Sequence, residues 1–208
     1  MSLIDTLHQL DIDIFRALNH AGEVAIIDAV MVAFTIMGMV YVIALVAIPL
    51  WTAGKRDVAF DVVVLVVIVS VLTEIIKFLV DRQRPYLELS GVQTILSASG
   101  PSFPSAHASR AFAVAFIIAL NSRRMWGILG IVVASLIAVS RVYLGVHWPS
   151  DILFGALLGL LVAALMAYVG RECEGYRGTR RRVTEGLRSV QKRGHAPMRS
   201  ASDKAVET

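Results

Sequence analysis

The chain has 208 residues, 56% of them hydrophobic, and a mean hydropathy of +0.68, an apolar share well above that of soluble domains. The net charge of +4 does not point to nucleic acid, because ten of the 20 Lys and Arg residues follow residue 170 and no RNA- or DNA-binding motif accompanies them. A basic tail after an apolar span reads instead as a topology signal and an anionic-lipid contact.

Residues 3–18 place Leu3, Leu7, Leu10, Ile14 and Leu18 near one helical face, with Asp5, Gln9, Asp13 and Arg16 largely elsewhere. This predicts an amphipathic helix lying on the membrane. The opening residues lack the basic and apolar regions of a cleaved signal peptide, so the first true span is expected to act as the insertion signal. Five spans are then expected, at about 28–50, 58–80, 105–121, 125–143 and 150–169. The third is the shortest and carries Arg110. Small residues recur four apart at Gly155, Gly159, Ala163 and Ala167, and at Gly130, Ala134 and Ala138, which suits close helix packing in lipid. A single cysteine, Cys173, excludes an internal disulfide, so the fold must rest on that packing.

The fold class is therefore all-α: a polytopic membrane helix bundle of five to six transmembrane helices with an amphipathic N-terminal helix. Its expected regions are an amphipathic segment over 1–22, a transmembrane domain over 23–170 and a basic tail over 171–208, disordered beyond about residue 194. Lys55-Arg56, Arg123-Arg124 and the tail share one side when spans are counted, and the positive-inside rule puts them in the cytoplasm. The loop 82–104 and the turn around His147 then face outward.

Three polar stretches lie at the outward ends of spans: Lys77 to Pro85, Pro104-Ser105-Ala106-His107, and Ser140-Arg141 to His147 and Asp151. Lys77, Arg84 and Arg141 gather three cations with no comparable carboxylate cluster, which suits an oxyanion such as phosphate. Ser105 and the free N–H groups opening the third span add donors at a helix N-terminus. Asp151, four residues after His147, can hold one ring nitrogen and leave the other free to attack. His107, with no carboxylate nearby in sequence, suits a general acid. That pairing predicts a bell-shaped pH profile, with His147 neutral while His107 is protonated.

Each residue also has a plainer reading. His147 could be an interfacial histidine, Asp151 a first-turn acid, Arg84 and Arg141 headgroup ligands, Ser105 a helix cap, and Lys77 a partner of Glu74. None of these explains why all the groups share one side. Glu74, Asp81 and Arg110 are read as structural.

With these residues in hand, the sequence resembles the type 2 phosphatidic acid phosphatase family of integral membrane phosphatases. That family's pattern is Lys, six residues, Arg-Pro; Pro-Ser-Gly-His; and Ser-Arg, five residues, His, three residues, Asp. The chain departs from it once, with Ala106 in place of glycine. The resemblance implies His147 as nucleophile, Asp151 as its partner and His107 as general acid. It places Lys77, Arg84, Ser105, Ala106 (through its backbone), His107 and Arg141 at the phosphate, in a reaction with no metal and no cofactor. The family usually shows six spans where five are counted here.

The implied partners are a lipid phosphate substrate and the bilayer, with no nucleic acid; the sequence carries no sign of oligomeric state. The expected setting is the plasma membrane of a prokaryote, with the site outside and the tail cytoplasmic. An outward site favours a polyprenyl diphosphate of the undecaprenyl type as substrate. The alternatives are phosphatidylglycerol phosphate or phosphatidate, transfer of the phosphoryl group to another acceptor, vanadate-dependent peroxidation, or lipid binding without chemistry.

Overall fold

The computed structural model of the protein describes residues 3–19 and 24–194. Among them every regular element is helical: α1 (Leu3–Asn19), α2 (Ala25–Met37), α3 (Val40–Ala44), α4 (Ala47–Thr52) and α5 (Arg56–Val80). A single turn, α6 (Pro85–Glu88), leads into a long loop, followed by α7 (Ala106–Asn121), α8 (Arg124–Tyr143), α9 (Pro149–Glu172) and α10 (Glu174–Gly194). The expected start of the transmembrane region at residue 23 and the end of the tail lie outside the described residues.

Helices α5, α8 and α9 are long and apolar enough to cross a membrane. They expose Val67, Val71, Ile128, Val132, Leu157, Leu161 and Leu165 along their outer faces, as helices in hydrocarbon do. Helix α7, only 16 residues long, is the hub of the bundle. Ala106, Ala108, Ala111, Ala113 and Ala115 are buried, and their small side chains let α8 and α9 approach closely. The predicted small-residue row on α9 serves this packing. A methyl at Gly155 would lie 2.7 Å from the Ser105 carbonyl oxygen, and one at Gly159 would run into the Ser109 carbonyl.

The first expected span differs from its prediction as one continuous helix. It breaks after α2, and the two halves, Ala25–Met37 and Val40–Thr52, bend by 62°. The physical cause is visible at Gly38. Its carbonyl accepts from Arg110 Nη2 at 3.1 Å, so the backbone group freed by the break is satisfied by a buried cation. A methyl on Gly38 would lie 2.6 Å from His107 Cδ2; only glycine lets the break close over α7.

Helix α1 is amphipathic as expected, and its apolar stripe faces away from the bundle, with Leu7, Leu10 and Ile14 exposed. What it buries is Asp11, Phe15 and Asn19. Asn19 Nδ2 donates to the carbonyls of Gln93 (2.8 Å) and Tyr143 (2.9 Å), and its Oδ1 accepts from Gln93 N–H at 3.0 Å. The helix is thus tied to the long loop and to the end of α8.

At the opposite end, Lys55 Nζ donates to Asn121 O at 2.6 Å, joining the two basic loops. Helix α10 returns to that end, where Asp61 accepts from Tyr176 Oη at 2.6 Å and from Arg180 Nη1 at 2.8 Å. All three basic segments therefore gather at one end, and the polar stretches that carry the candidate site gather at the other.

Candidate active site

Each candidate side chain is placed by the end of a helix. Lys77 stands in the last turn of α5, which Asp81 terminates in the left-handed region (φ 46). The chain then turns through Arg82 and Arg84. Ser105 caps α7, its hydroxyl accepting from Ala108 N–H at 3.5 Å, and its own N–H donates to the Asp151 carbonyl at 3.0 Å. Ala106 and His107 open α7, Arg141 closes α8, and His147 lies in the short turn before α9. Trp148-Pro149 starts α9 because proline suits the first helical position. Asp151 follows two residues later.

The structure brings all of these together. His147 Nδ1 lies 3.3 Å from Asp151 Oδ2, and the same oxygen accepts from Trp148 N–H at 2.9 Å. Both residues are buried. Nδ1 faces the carboxylate, so the other ring nitrogen, Nε2, points into the ring of cations, 3.5 Å from Arg84 Nη1. Burial first, then Arg141, Arg84 and Lys77, push the His147 imidazole well below the usual histidine range. It is neutral at physiological pH, the form that can attack.

The cations differ in how free they are. Arg84 is buried, and its donors are committed to carbonyls of Gly100 (2.8 Å), Ser99 (3.0 Å), Pro101 (3.2 Å) and Val146 (2.7 Å). It holds the loop 99–101 against the His147 turn and lends the site charge rather than a free fork. Arg141 donates Nη1 to Thr35 Oγ1 at 3.3 Å. Arg141 Nε and His107 Nε2 are both buried and bond to no described residue, so a phosphate oxygen beside them would meet uncommitted groups. Lys77 pairs with Glu74 at 3.5 Å, an exposed acid that a phosphate could replace as its partner.

Residues that sequence reasoning did not assign also reach the site. Arg82 donates from Nη1 to Asp151 Oδ1 at 2.9 Å and from Nη2 to Asp11 Oδ2 at 2.7 Å. Ser102 is buried against the His147 ring. Thr35 links the broken first span to Arg141. Arg82 was visible as a basic residue within the first polar stretch, but nothing in the local pattern separates its task from that of Arg84.

A set of cations, a buried His–Asp pair and a second histidine at a helix start meet at one end of the helix bundle, an arrangement suited to holding phosphate. The chain belongs to the PAP2 superfamily, whose sequence model matches residues 58–174, and it is an integral membrane lipid phosphatase of that family. It is 32% identical over 163 residues to an undecaprenyl-diphosphatase of Sulfolobus acidocaldarius, covering 76% of this chain and 78% of that protein. It is also 32% identical over 159 residues to the bacitracin transport permease protein BcrC of Bacillus licheniformis, covering 74% and 78%. Among solved structures, Aquifex aeolicus LpxE is 26% identical with a TM-score of 0.72, over 76% of this chain and 95% of that one. A PAP2-type phosphatidylglycerolphosphate phosphatase of Bacillus subtilis shares the fold, with a TM-score of 0.69 at 24% identity, over 81% of this chain and 88% of that one.

Proposed function

We propose that the protein hydrolyses a polyprenyl diphosphate of the undecaprenyl type through a phosphohistidine on His147. The observation that carries this reading is the His147–Asp151 pair, with Nε2 aimed into the cations. The name of the Sulfolobus acidocaldarius relative, which matches 76% of this chain, supports the lipid. The terminal phosphate would lie among Lys77, Arg84, Arg141 and the N–H groups opening α7 at Ala106, with Ser105 beside them. His147 Nε2 attacks phosphorus, the bond to the bridging oxygen breaks, and His107 gives that oxygen its proton. Water then displaces His147 and releases phosphate. The residues suffice without a metal, so turnover should survive EDTA.

The test is phosphate release by the purified protein, with EDTA present, from polyprenyl diphosphate, phosphatidylglycerol phosphate and phosphatidate in parallel. The highest kcat/KM should fall on polyprenyl diphosphate. A clear preference for either glycerophospholipid would overturn the lipid assignment and leave the mechanism standing.

The His147 environment also sets a pH dependence. Its folded-state pKa lies below the usual value, so protonation removes the nucleophile only as pH falls through that lower value. The acid limb of kcat/KM should therefore lie below the ordinary histidine range, with activity retained through mildly acid pH. An acid limb at or above pH 6.5, the usual imidazole value, contradicts the assignment.

We further place the site on the outer face of a prokaryotic plasma membrane, with the basic end in the cytoplasm. The arginine-rich helix α10 and the two basic loops support that orientation. Cys173 is exposed between α9 and α10. An impermeant thiol reagent should label it only after the membrane is opened; labelling in intact cells reverses the orientation.

A further inference from the structure

Helix α1 lies outside the residues that match the family, yet it reaches the centre of the site. Asp11 is 6% exposed, in a helix whose other face is apolar. Its Oδ1 accepts from Ser150 N–H at 2.8 Å, and its Oδ2 from Ser150 Oγ at 2.5 Å and Arg82 Nη2 at 2.7 Å. Arg82 turns its other nitrogen, Nη1, to Ser150 Oγ at 2.6 Å and to Asp151 Oδ1 at 2.9 Å. Its guanidinium lies 5.1 Å over the Trp148 ring, and that ring is packed 5.5 Å from Phe15 of α1. One arginine thus joins a carboxylate from residue 11 to the carboxylate that faces His147.

We infer that Asp11 is a positioning residue of the His147–Asp151 pair, acting through Arg82 to set both the place and the charge of Asp151. The inference rests on the reading of His147 as nucleophile. Its physical content is a charge count. Asp11, Asp151 and Arg82 together carry one negative charge. When His147 Nε2 bonds to phosphorus and the bridging P–O bond breaks, the ring keeps its Nδ1 proton and becomes cationic, and the cluster as a whole becomes neutral. Without the Asp11 charge, Arg82 already neutralises Asp151, and the new cation is uncompensated among Lys77 of α5, Arg84, His107 of α7 and Arg141 of α8. A buried charge change of this kind is strongly felt. Asp11 also fixes where Arg82 sits, which leaves Asp151 Oδ2 free for His147 and Trp148 N–H.

The test is rapid-quench measurement of the phosphoenzyme, trapped in alkali, from polyprenyl diphosphate labelled in its terminal phosphate. Wild type, Asp11→Asn and His147→Ala are compared. Asp11→Asn keeps the shape and removes the charge. Its phosphorylation rate should fall roughly ten- to a hundredfold, with KM and thermal melting close to wild type. A purely structural role would lower melting or raise KM without selecting that step. A folded Asp11→Asn protein phosphorylated as fast as wild type would overturn the inference. Phosphoenzyme in His147→Ala would instead overturn the nucleophile reading, whatever Asp11 does. If Asp11→Asn does not fold, Arg82→Gln carries the test with the opposite sign. Two carboxylates left without their cation favour a charged His147, so the acid limb of kcat/KM should move up in pH, and an unmoved limb refutes the inference.

Discussion

His147→Ala is expected to abolish phosphate release, by roughly 10⁴-fold or more, since removing a nucleophile that acts with its partner as a unit costs the whole covalent route. The geometry leaves no substitute. Among the described residues, His107 faces no carboxylate: its Nε2 has no partner, whereas His147 Nδ1 faces Asp151. A nucleophile must bear positive charge once it has attacked, and only His147 has a carboxylate at 3.3 Å to stabilise it. Binding should persist, because the cations and the start of α7 are untouched. The expected signature is therefore a lost kcat with a substrate dissociation constant close to wild type. Substantial turnover by a folded His147→Ala protein would remove the phosphohistidine from the mechanism.

The second large effect is expected at His107, and it should depend on the leaving group. Asparagine here retains a polar side chain but cannot deliver a proton. General acid catalysis contributes about 10²- to 10⁴-fold when the departing oxygen is basic. Phosphatidate and alkyl phosphates have such leaving groups, so His107→Asn should lose most on them. An aryl phosphate with an electron-poor phenol leaves without a proton, and on it the variant should lose about tenfold or less. A polyprenyl diphosphate, whose leaving group is itself a phosphate, should fall between. Equal losses on all three would show that His107 binds phosphate or supports the fold and does not act as the acid. The fold offers a second handle on the same residue: Gly38 packs its bare Cα against the imidazole, and Arg110 one turn later binds the Gly38 carbonyl.

Much of this site was legible from spacing. Lys77 closes one helix and Arg84 follows shortly after it, His107 opens another, and Arg141, His147 and Asp151 bridge two more. Helices that cross a membrane have only two ends, so counting spans was enough to bring these groups to one side. The His147–Asp151 contact could be read for the same reason: the two stand four positions apart at the start of a helix, a local relation. The roles of the cations were less legible. Arg84 looked like a phosphate fork, and its donors are taken by three backbone carbonyls of the loop 99–101 and by that of Val146, a loop path the sequence does not reveal.

The amphipathic character of α1 was plain, but its contacts were not. Periodicity identified the stripe Leu7, Leu10 and Ile14 and said nothing of Asp11, which finds Arg82 and Ser150 across 71 and 139 residues. The broken first span was hidden for a related reason. Residues 29–50 carry no charged group, and the break is stabilised by a carbonyl-to-Arg110 bond across 72 residues. By itself the sequence determined the membrane bundle, the end that carries the charge and the residues that can do phosphate chemistry, because hydropathy and helix-end spacing are local properties of the chain. Only the tertiary structure decided which cations are free, where α7 sits and which carboxylate stands behind Arg82, because those depend on close approach between segments far apart in sequence.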